Sequence, residues 1–209
     1  LKPGDSIAIQ MPNILQYPIA MYGALRAGLR VVNTNPLYTE REMLHQFNDS
    51  GAKALLCMDV FAKSVQNVKD QTGIKHIIVT SLADMLPGLK RVLINAAAKH
   101  IKKMVPAYDL PEAVRFRTCL KLGQGKGFQP NHMKNPHDTI VLQYTGGTTG
   151  VAKGAELTNR NLVANMLQAA SALGQTKADG SSMKGEEQAI IVAPLPLYHI
   201  YSFTVHLMA

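Results

Sequence analysis

The chain has 209 residues, enough to bury a core in one large domain or two small ones. Its two cysteines, Cys57 and Cys119, exclude a disulfide framework and fit a reducing, cytosolic compartment. A formal net charge of +8 favours anionic partners, no apolar run is long enough to span a bilayer, and no secretory signal opens the chain.

Strand and helix signals alternate from the start. Ser6-Ile7-Ala8-Ile9-Gln10-Met11 reads as a strand. A helical pattern follows, with Pro18 in its first turn and Gly28 as its C-terminal stop. Leu29-Arg30-Val31-Val32-Asn33 reads as the next strand and Asn35-Pro36 as a turn. Thr39-Glu40-Arg41-Glu42 has the form of a capping box. The helix it opens carries Met43, Leu44 and Phe47 on one face and ends at Ser50-Gly51. Ala54-Leu55-Leu56-Cys57-Met58 is a strand in which Cys57 is a small buried hydrophobe. Asp59 is placed to cap a helix with Phe61, Val65 and Val68 at helical spacing, and Gly73 lies past its end. His76-Ile77-Ile78-Val79-Thr80 is a further strand. This alternation predicts an α/β fold, a mostly parallel sheet flanked by helices, with ligands at the carboxyl ends of its strands.

Residues 82–110 break the rhythm. Leu86, Leu89, Leu93, Ala97, Ile101 and Met104 recur at helical spacing, and between Asp84 and Asp109 there are basic residues but no acid. Such a helix can lie on an anionic membrane surface, or pack on its own domain with a solvated basic face. The second reading is the simpler, because a core explains most amphipathic helices. Residues 123–136, rich in Gly, Asn and Pro, read as a linker between a first α/β portion (1–122) and a second (137–209). His132 lies in it and His137-Asp138 just beyond, without the tight spacing of metal ligands.

The most informative stretch comes next. Thr139-Ile140-Val141-Leu142-Gln143 reads as a strand and runs into Tyr144-Thr145-Gly146-Gly147-Thr148-Thr149-Gly150-Val151-Ala152-Lys153-Gly154. Glycines let the backbone approach a ligand closely, and consecutive exposed N–H groups form an anion-binding concavity. Threonine hydroxyls and the Lys153 ammonium complete the parts of a phosphate cradle. The spacing is neither that of a Walker A loop, where glycine precedes the lysine and Ser/Thr follows it, nor that of G-x-G-x-x-G. Thr158 is placed to cap a helix bearing Leu162, Val163, Met166 and Leu167, stopped by Gly174. Residues 177–187 read as a polar loop. Ala189-Ile190-Ile191-Val192-Ala193 reads as a buried strand, leading into Pro194-Leu195-Pro196-Leu197-Tyr198-His199. By sheet topology His199 can share an edge with the glycine–threonine loop.

The loop resembles the phosphate loop of the adenylate-forming enzymes, commonly Y-T-S-G-T-T-G-x-P-K-G. Gly146 stands where serine is usual and Ala152 where proline is usual. Gly23-Ala24-Leu25-Arg26-Ala27-Gly28, Asn33-Thr34-Asn35-Pro36, Leu157-Thr158-Asn159-Arg160-Asn161 and Pro196-Leu197-Tyr198-His199 carry the same resemblance. Residues 99–117 and 142–154 look like the bacterial long-chain fatty-acyl-CoA synthetases in particular.

The resemblance implies an incomplete part of the family's large N-terminal domain. It also implies ATP-dependent activation of a fatty acid to acyl-adenylate and then acyl-CoA, with ATP, Mg2+ and coenzyme A as partners. Thr145, Gly146, Gly147, Thr148, Thr149, Gly150 and Lys153 would hold the nucleotide phosphates, and Thr145 would also reach the metal. Lys153 and His199 would be the catalytic residues, with Tyr198 and His199 bordering the acyl pocket. The family's acidic metal ligand, ribose-binding aspartate and adenylation lysine match nothing in this chain, so residues 1–209 alone are expected not to turn over. Cut-looking ends, at Leu1 and in the apolar 205–209, agree with a piece of a longer protein and make a homodimer plausible. Alternatives are another acid–CoA ligase, an amino-acid-adenylating domain, or a non-catalytic nucleotide- or membrane-binding module. A nucleic-acid binder is disfavoured, because the basic cluster has no interleaved aromatics. The expected location is cytoplasmic, with a peripheral position on the inner face of the cytoplasmic membrane left open.

Overall fold

A computed structural model describes residues 1–130, 135–146, 151–172 and 192–208. Seven strands form a single sheet in the order β5-β4-β3-β1-β2-β6-β7. They are β1 (Ser6–Gln10), β2 (Arg30–Thr34), β3 (Ala52–Met58), β4 (His76–Thr80), β5 (Val114–Arg115), β6 (Thr139–Thr145) and β7 (Lys153–Thr158). Pairing is parallel except between β6 and β7. The helices are α1 (Gln16–Arg26), α2 (Glu40–Asp49), α3 (Ala62–Val68), α4 (Gly88–Ala96), α5 (Phe116–Gly123), α6 (Asn159–Ala172) and α7 (Ile200–Ser202), the last continued by π-helical turns, Phe203–Met208.

Apolar alternation along the strands builds a core on each face of the sheet. Ile7, Ile9, Val31 and Val141 pack under α1 through Tyr17 and Met21. Ala8, Val32, Leu55, Cys57 and Leu142 pack under α2 and α3 through Met43, Phe47 and Val65. Burial, then the Asp59 carboxylate, pushes the Cys57 thiol up to about 12, so it behaves as a core hydrophobe. α1 follows β1 on one face, whereas α2 and α3 follow the neighbouring β2 and β3 on the other. The carboxyl end of β1 therefore opens a crevice between diverging connections.

Several local signals act as the sequence predicts. Gly28 adopts φ 74° after the Ala27 cap, and Gly51 adopts φ 58° after Ser50. Both halves of the Thr39–Glu42 capping box form. Asn161 N–H donates to Thr158 Oγ1 at 3.2 Å, capping α6; the expected stop at Gly174 lies outside the described residues, as do residues 177–187.

Others do not. Asp59 is not a cap: it opens a 3-10 turn, Asp59–Phe61, and its carboxylate accepts from Ser81 Oγ at 2.6 Å. Burial raises its pKa more than the Ser81 bond lowers it. The helix expected over 86–104 is shorter, with a π-helical turn Ala97–Ile101 after α4, and it does not pack its apolar side into a core. α4 and the turn after it bury no side chain, but Asn95 ties the helix to Ala83 and Asp84 of the same chain. The expected buried strand at 189–193 lies mostly outside the described residues, and Val192 is exposed and irregular. Strands β5 and β7 carry no strong alternation, which is why the sequence did not announce them.

Candidate active site

The described ends of the glycine–threonine string, at Thr145 and Lys153, belong to two paired strands. β6 and β7 pair antiparallel with Thr145 opposite Lys153, Tyr144 opposite Gly154 and Gln143 opposite Ala155. Directly opposed residues share a face, and neighbours alternate. Thr145 and Lys153 therefore stand on one face of the hairpin, and Tyr144 and Gly154 on the other. Thr145, Gly146 and Lys153 are exposed, whereas Gly147, Thr148, Thr149 and Gly150 lie outside the described residues.

The Tyr144 face is braced by α2. The Tyr144 hydroxyl donates to Asp49, and its ring meets His45 edge-on at 6.4 Å between centroids. His45 Nε2 hydrogen-bonds the Ala152 carbonyl at 2.8 Å, so the imidazole is the donor. His45 and Asp49, one helical turn apart, thus grip both strands of the hairpin. The ring of Tyr144 lies flush against Gly154, where an added Cβ would come within 2.9 Å of Tyr144 Cζ. Glycine is required there by close approach. Burial, then the Asp49 carboxylate, pushes the Tyr144 phenol well above its ordinary range, which keeps it a neutral donor. A cavity of about 640 Å³ opens beside this brace, lined by Tyr38, Arg41, Glu42, His45, Gln46 and Ala152 among others. Gln46 is almost fully buried; its Nε2 donates to the Asn33 carbonyl at 3.1 Å, and its Oε1 has no partner among the described residues.

The Thr145 face meets the 193–199 segment through a buried polar chain. Tyr17 Oη donates to Asn33 Oδ1 at 2.7 Å, Asn33 Nδ2 to Gln143 Oε1 at 3.1 Å, and Gln143 Nε2 to the Tyr198 carbonyl at 3.2 Å. Asn13, just past β1, donates to the Leu195 carbonyl at 2.9 Å and accepts from Leu197 N–H at 2.7 Å. Gln143 precedes Thr145 by two positions on the same face of β6. The segment bearing Tyr198 and His199 is thereby tied to the face that carries Thr145 and Lys153. Tyr198 is half-buried; His199 is exposed and caps α7, with its Nδ1 accepting from Tyr201 N–H at 3.4 Å. Tyr38, after β2, sits between the two regions: burial raises its pKa, and Glu42 and Tyr198 add to the rise.

Asn13, Tyr38, His45, Asp49 and Gln143 were not singled out from the sequence as site residues, nor was Asn33 beyond its place in a motif. A signal existed for two of them. Asn33 and Gln143 are amides inside otherwise apolar strands, and buried amides must find partners. His45 and Asp49 carried no signal, since their partners are about a hundred residues away along the chain.

A family model described as AMP-binding enzyme matches residues 1–209, the whole chain. The chain belongs to the AMP-binding enzyme family. It is 46% identical over 209 residues to a long-chain-fatty-acid–CoA ligase of Escherichia coli O157:H7, covering 99% of this chain and 35% of that protein. It is 47% identical over 206 residues to a protein of the same description from Yersinia pestis, with the same coverage. The chain thus spans about a third of the length of the curated relatives it matches. In structure it resembles apo MatB from Rhodopseudomonas palustris, with a TM-score of 0.70 at 19% identity over 99% of this chain and 33% of that one, a likeness of fold. Among the described residues no three His, Cys, Asp or Glu side chains gather to hold a metal, and no helix is long and apolar enough to cross a membrane.

Proposed function

We propose that this chain carries the phosphate loop of a long-chain fatty acid–CoA ligase. A fatty carboxylate attacks the α-phosphorus of ATP, releasing pyrophosphate and leaving acyl-adenylate. The thiol of coenzyme A then displaces AMP and gives acyl-CoA. The barrier in the first step is charge, an anion approaching a polyanion, and preorganised donors lower it. Thr145 and Lys153 supply a hydroxyl and an ammonium on one face of the hairpin. Thr148, Thr149 and the loop glycines Gly146, Gly147 and Gly150 belong to the same cradle for the β- and γ-phosphates. His199 and Tyr198 border the carboxylate and the start of the acyl pocket.

Magnesium would enter with the nucleotide. One hydroxyl, Thr145, fits an ion held chiefly by phosphates, and the ion would supply charge neutralisation there. The reading places the enzyme in the cytoplasm, with a peripheral position on the inner face of the cytoplasmic membrane and pairing of two copies as its finer expectations.

The observation that carries the reading is the shared face: Thr145 opposite Lys153, and Tyr198 tied through Gln143 to the same side of β6. The test uses the natural polypeptide that contains residues 1–209. Fatty-acid-dependent exchange between ATP and pyrophosphate, and acyl-CoA formation over a chain-length series, should both appear. Lys153→Met should lower exchange roughly a hundredfold or more, the usual cost of one preorganised donor. Full exchange in Lys153→Met, or a preference for aryl or amino acids over long-chain acids, would sink the reading.

A further inference from the structure

We propose that His45 is a positioning residue for the nucleotide phosphates: it acts through the Ala152 carbonyl to set the backbone root of Lys153. This rests on the ligase reading, in which His45 has no part. Lys153 is the single charged residue between Tyr144 and Gly154. Its side chain is exposed, and none of the described ion pairs uses it. A lysine side chain is a flexible four-carbon stem, so little along it is preset. What the fold can fix in advance is the backbone from which the stem departs.

That backbone is held on both sides of Lys153. Ahead of it, His45 Nε2 donates to the Ala152 carbonyl at 2.8 Å. The Ala152 carbonyl and the Lys153 N–H belong to one planar peptide unit. Orienting the carbonyl therefore orients the plane that leads into the Lys153 Cα. Behind it, Gly154 lies against the ring of Tyr144, where an added Cβ would come within 2.9 Å. Tyr144 is buried, and its hydroxyl donates to Asp49.

Both restraints originate on α2. Met43, Gln46 and Phe47 of that helix are buried, and the Thr39–Glu42 capping box closes its first turn. His45 and Asp49 thus carry the rigidity of the core under α2 to the strand pair. The two restraints differ in kind. The Tyr144 contact is a packed ring that backs the pair as a whole. The His45 bond falls on a single peptide plane beside the residue that bears the ammonium. Ala152 has no ring of its own to fix φ there, as a proline would.

The test is a double-substitution cycle on pyrophosphate exchange, in the natural polypeptide containing residues 1–209. His45→Ala should lower kcat of fatty-acid-dependent exchange roughly tenfold, part of the hundredfold that a misplacement of about 1 Å can cost. The KM for fatty acid should stay unchanged. His45→Gln, which keeps a donor, should recover most of the loss. On the Lys153→Met background, His45→Ala should lower exchange by less than about a further twofold, because residues that act as one unit are not additive. Should His45→Ala not fold, His45→Phe, which keeps a ring and lacks the donor, takes its place in the cycle. An equal loss on both backgrounds would make His45 a merely structural residue and overturn the proposal. So would an unchanged kcat in His45→Ala, or a His45→Gln protein as slow as His45→Ala. Wild-type protein that binds ATP without fatty-acid-dependent exchange would strike the ligase reading alone. The same cycle, run on ATP dissociation constants, then decides the role of His45: weakening confined to the Lys153 background supports it, and equal weakening on both overturns it.

Discussion

The two edges of the sheet are built on opposite terms. At the β7 edge, the hairpin is braced from beneath: Tyr144 is buried, Gly154 admits its ring, and His45 and Asp49 hold both strands. Toward the β5 edge, α4 is more apolar than α2 but buries no side chain. An element with strong local pattern can be loosely anchored, and a glycine-rich one firmly anchored. What matters is whether partners from distant segments arrive. A phosphate cradle needs its backbone fixed before the ligand comes.

Substitutions can test this contrast, beginning with the largest effect. Gly154→Ala should destabilise the fold by about 1–3 kcal/mol, as overpacking does, because Tyr144 cannot withdraw without losing Asp49. Urea titration checks it, and a loss under about 0.5 kcal/mol would show the brace to be slack. His45→Ala should cost about 1 kcal/mol by stranding the Ala152 carbonyl, and should speed amide exchange across β7. His45→Gln, which keeps a donor, should recover much of the protection; equal exchange in all three proteins would remove His45 from the brace.

The third effect is pH-dependent. The Thr39 backbone N–H, then its hydroxyl, hold the Glu42 carboxyl below its ordinary value of 4.5. A folded-state pKa below the unfolded one adds stability that is complete above the unfolded value and fades as pH falls through the folded one. Wild type and Glu42→Gln should therefore differ near neutrality and converge as pH falls below the ordinary value of 4.5 and through the lower folded-state one. Parallel curves throughout would refute the capping contribution. The smallest effect belongs to the other edge. Leu93→Ser in α4 should change stability by no more than about 0.5 kcal/mol, against about 3–5 kcal/mol for Phe47→Ala in the core under α2. A large loss in Leu93→Ser would mean that the helix is anchored through its apolar side after all.

Much of the scaffold was legible in the sequence because its causes are local. The capping box at Thr39, the stops at Gly28 and Gly51, and the apolar strands around Ile9, Leu56 and Val79 depend on neighbours within a few residues. The glycine–threonine string was legible for the same reason: its residues stand in consecutive positions. Asp59 misled because a short acid before an apolar helix is an ordinary cap signal, and only the fold brings Ser81 to its carboxylate. The amphipathic pattern at 89–101 fixed a helix but not its surroundings, since periodicity says which side chains share a side and not what covers them.

The sequence by itself therefore determined the α/β alternation, the glycine–threonine string and the family resemblance, all carried by short-range order. Tertiary structure alone decided which face of the hairpin is braced and which is open. It tied Tyr198 to β6 through Asn33 and Gln143, brought His45 to Ala152, and left Leu89, Val92 and Leu93 facing outward. The physical reason is common to all four: each depends on a contact, or the lack of one, between segments far apart in the chain, and sheet order rather than residue order sets those distances.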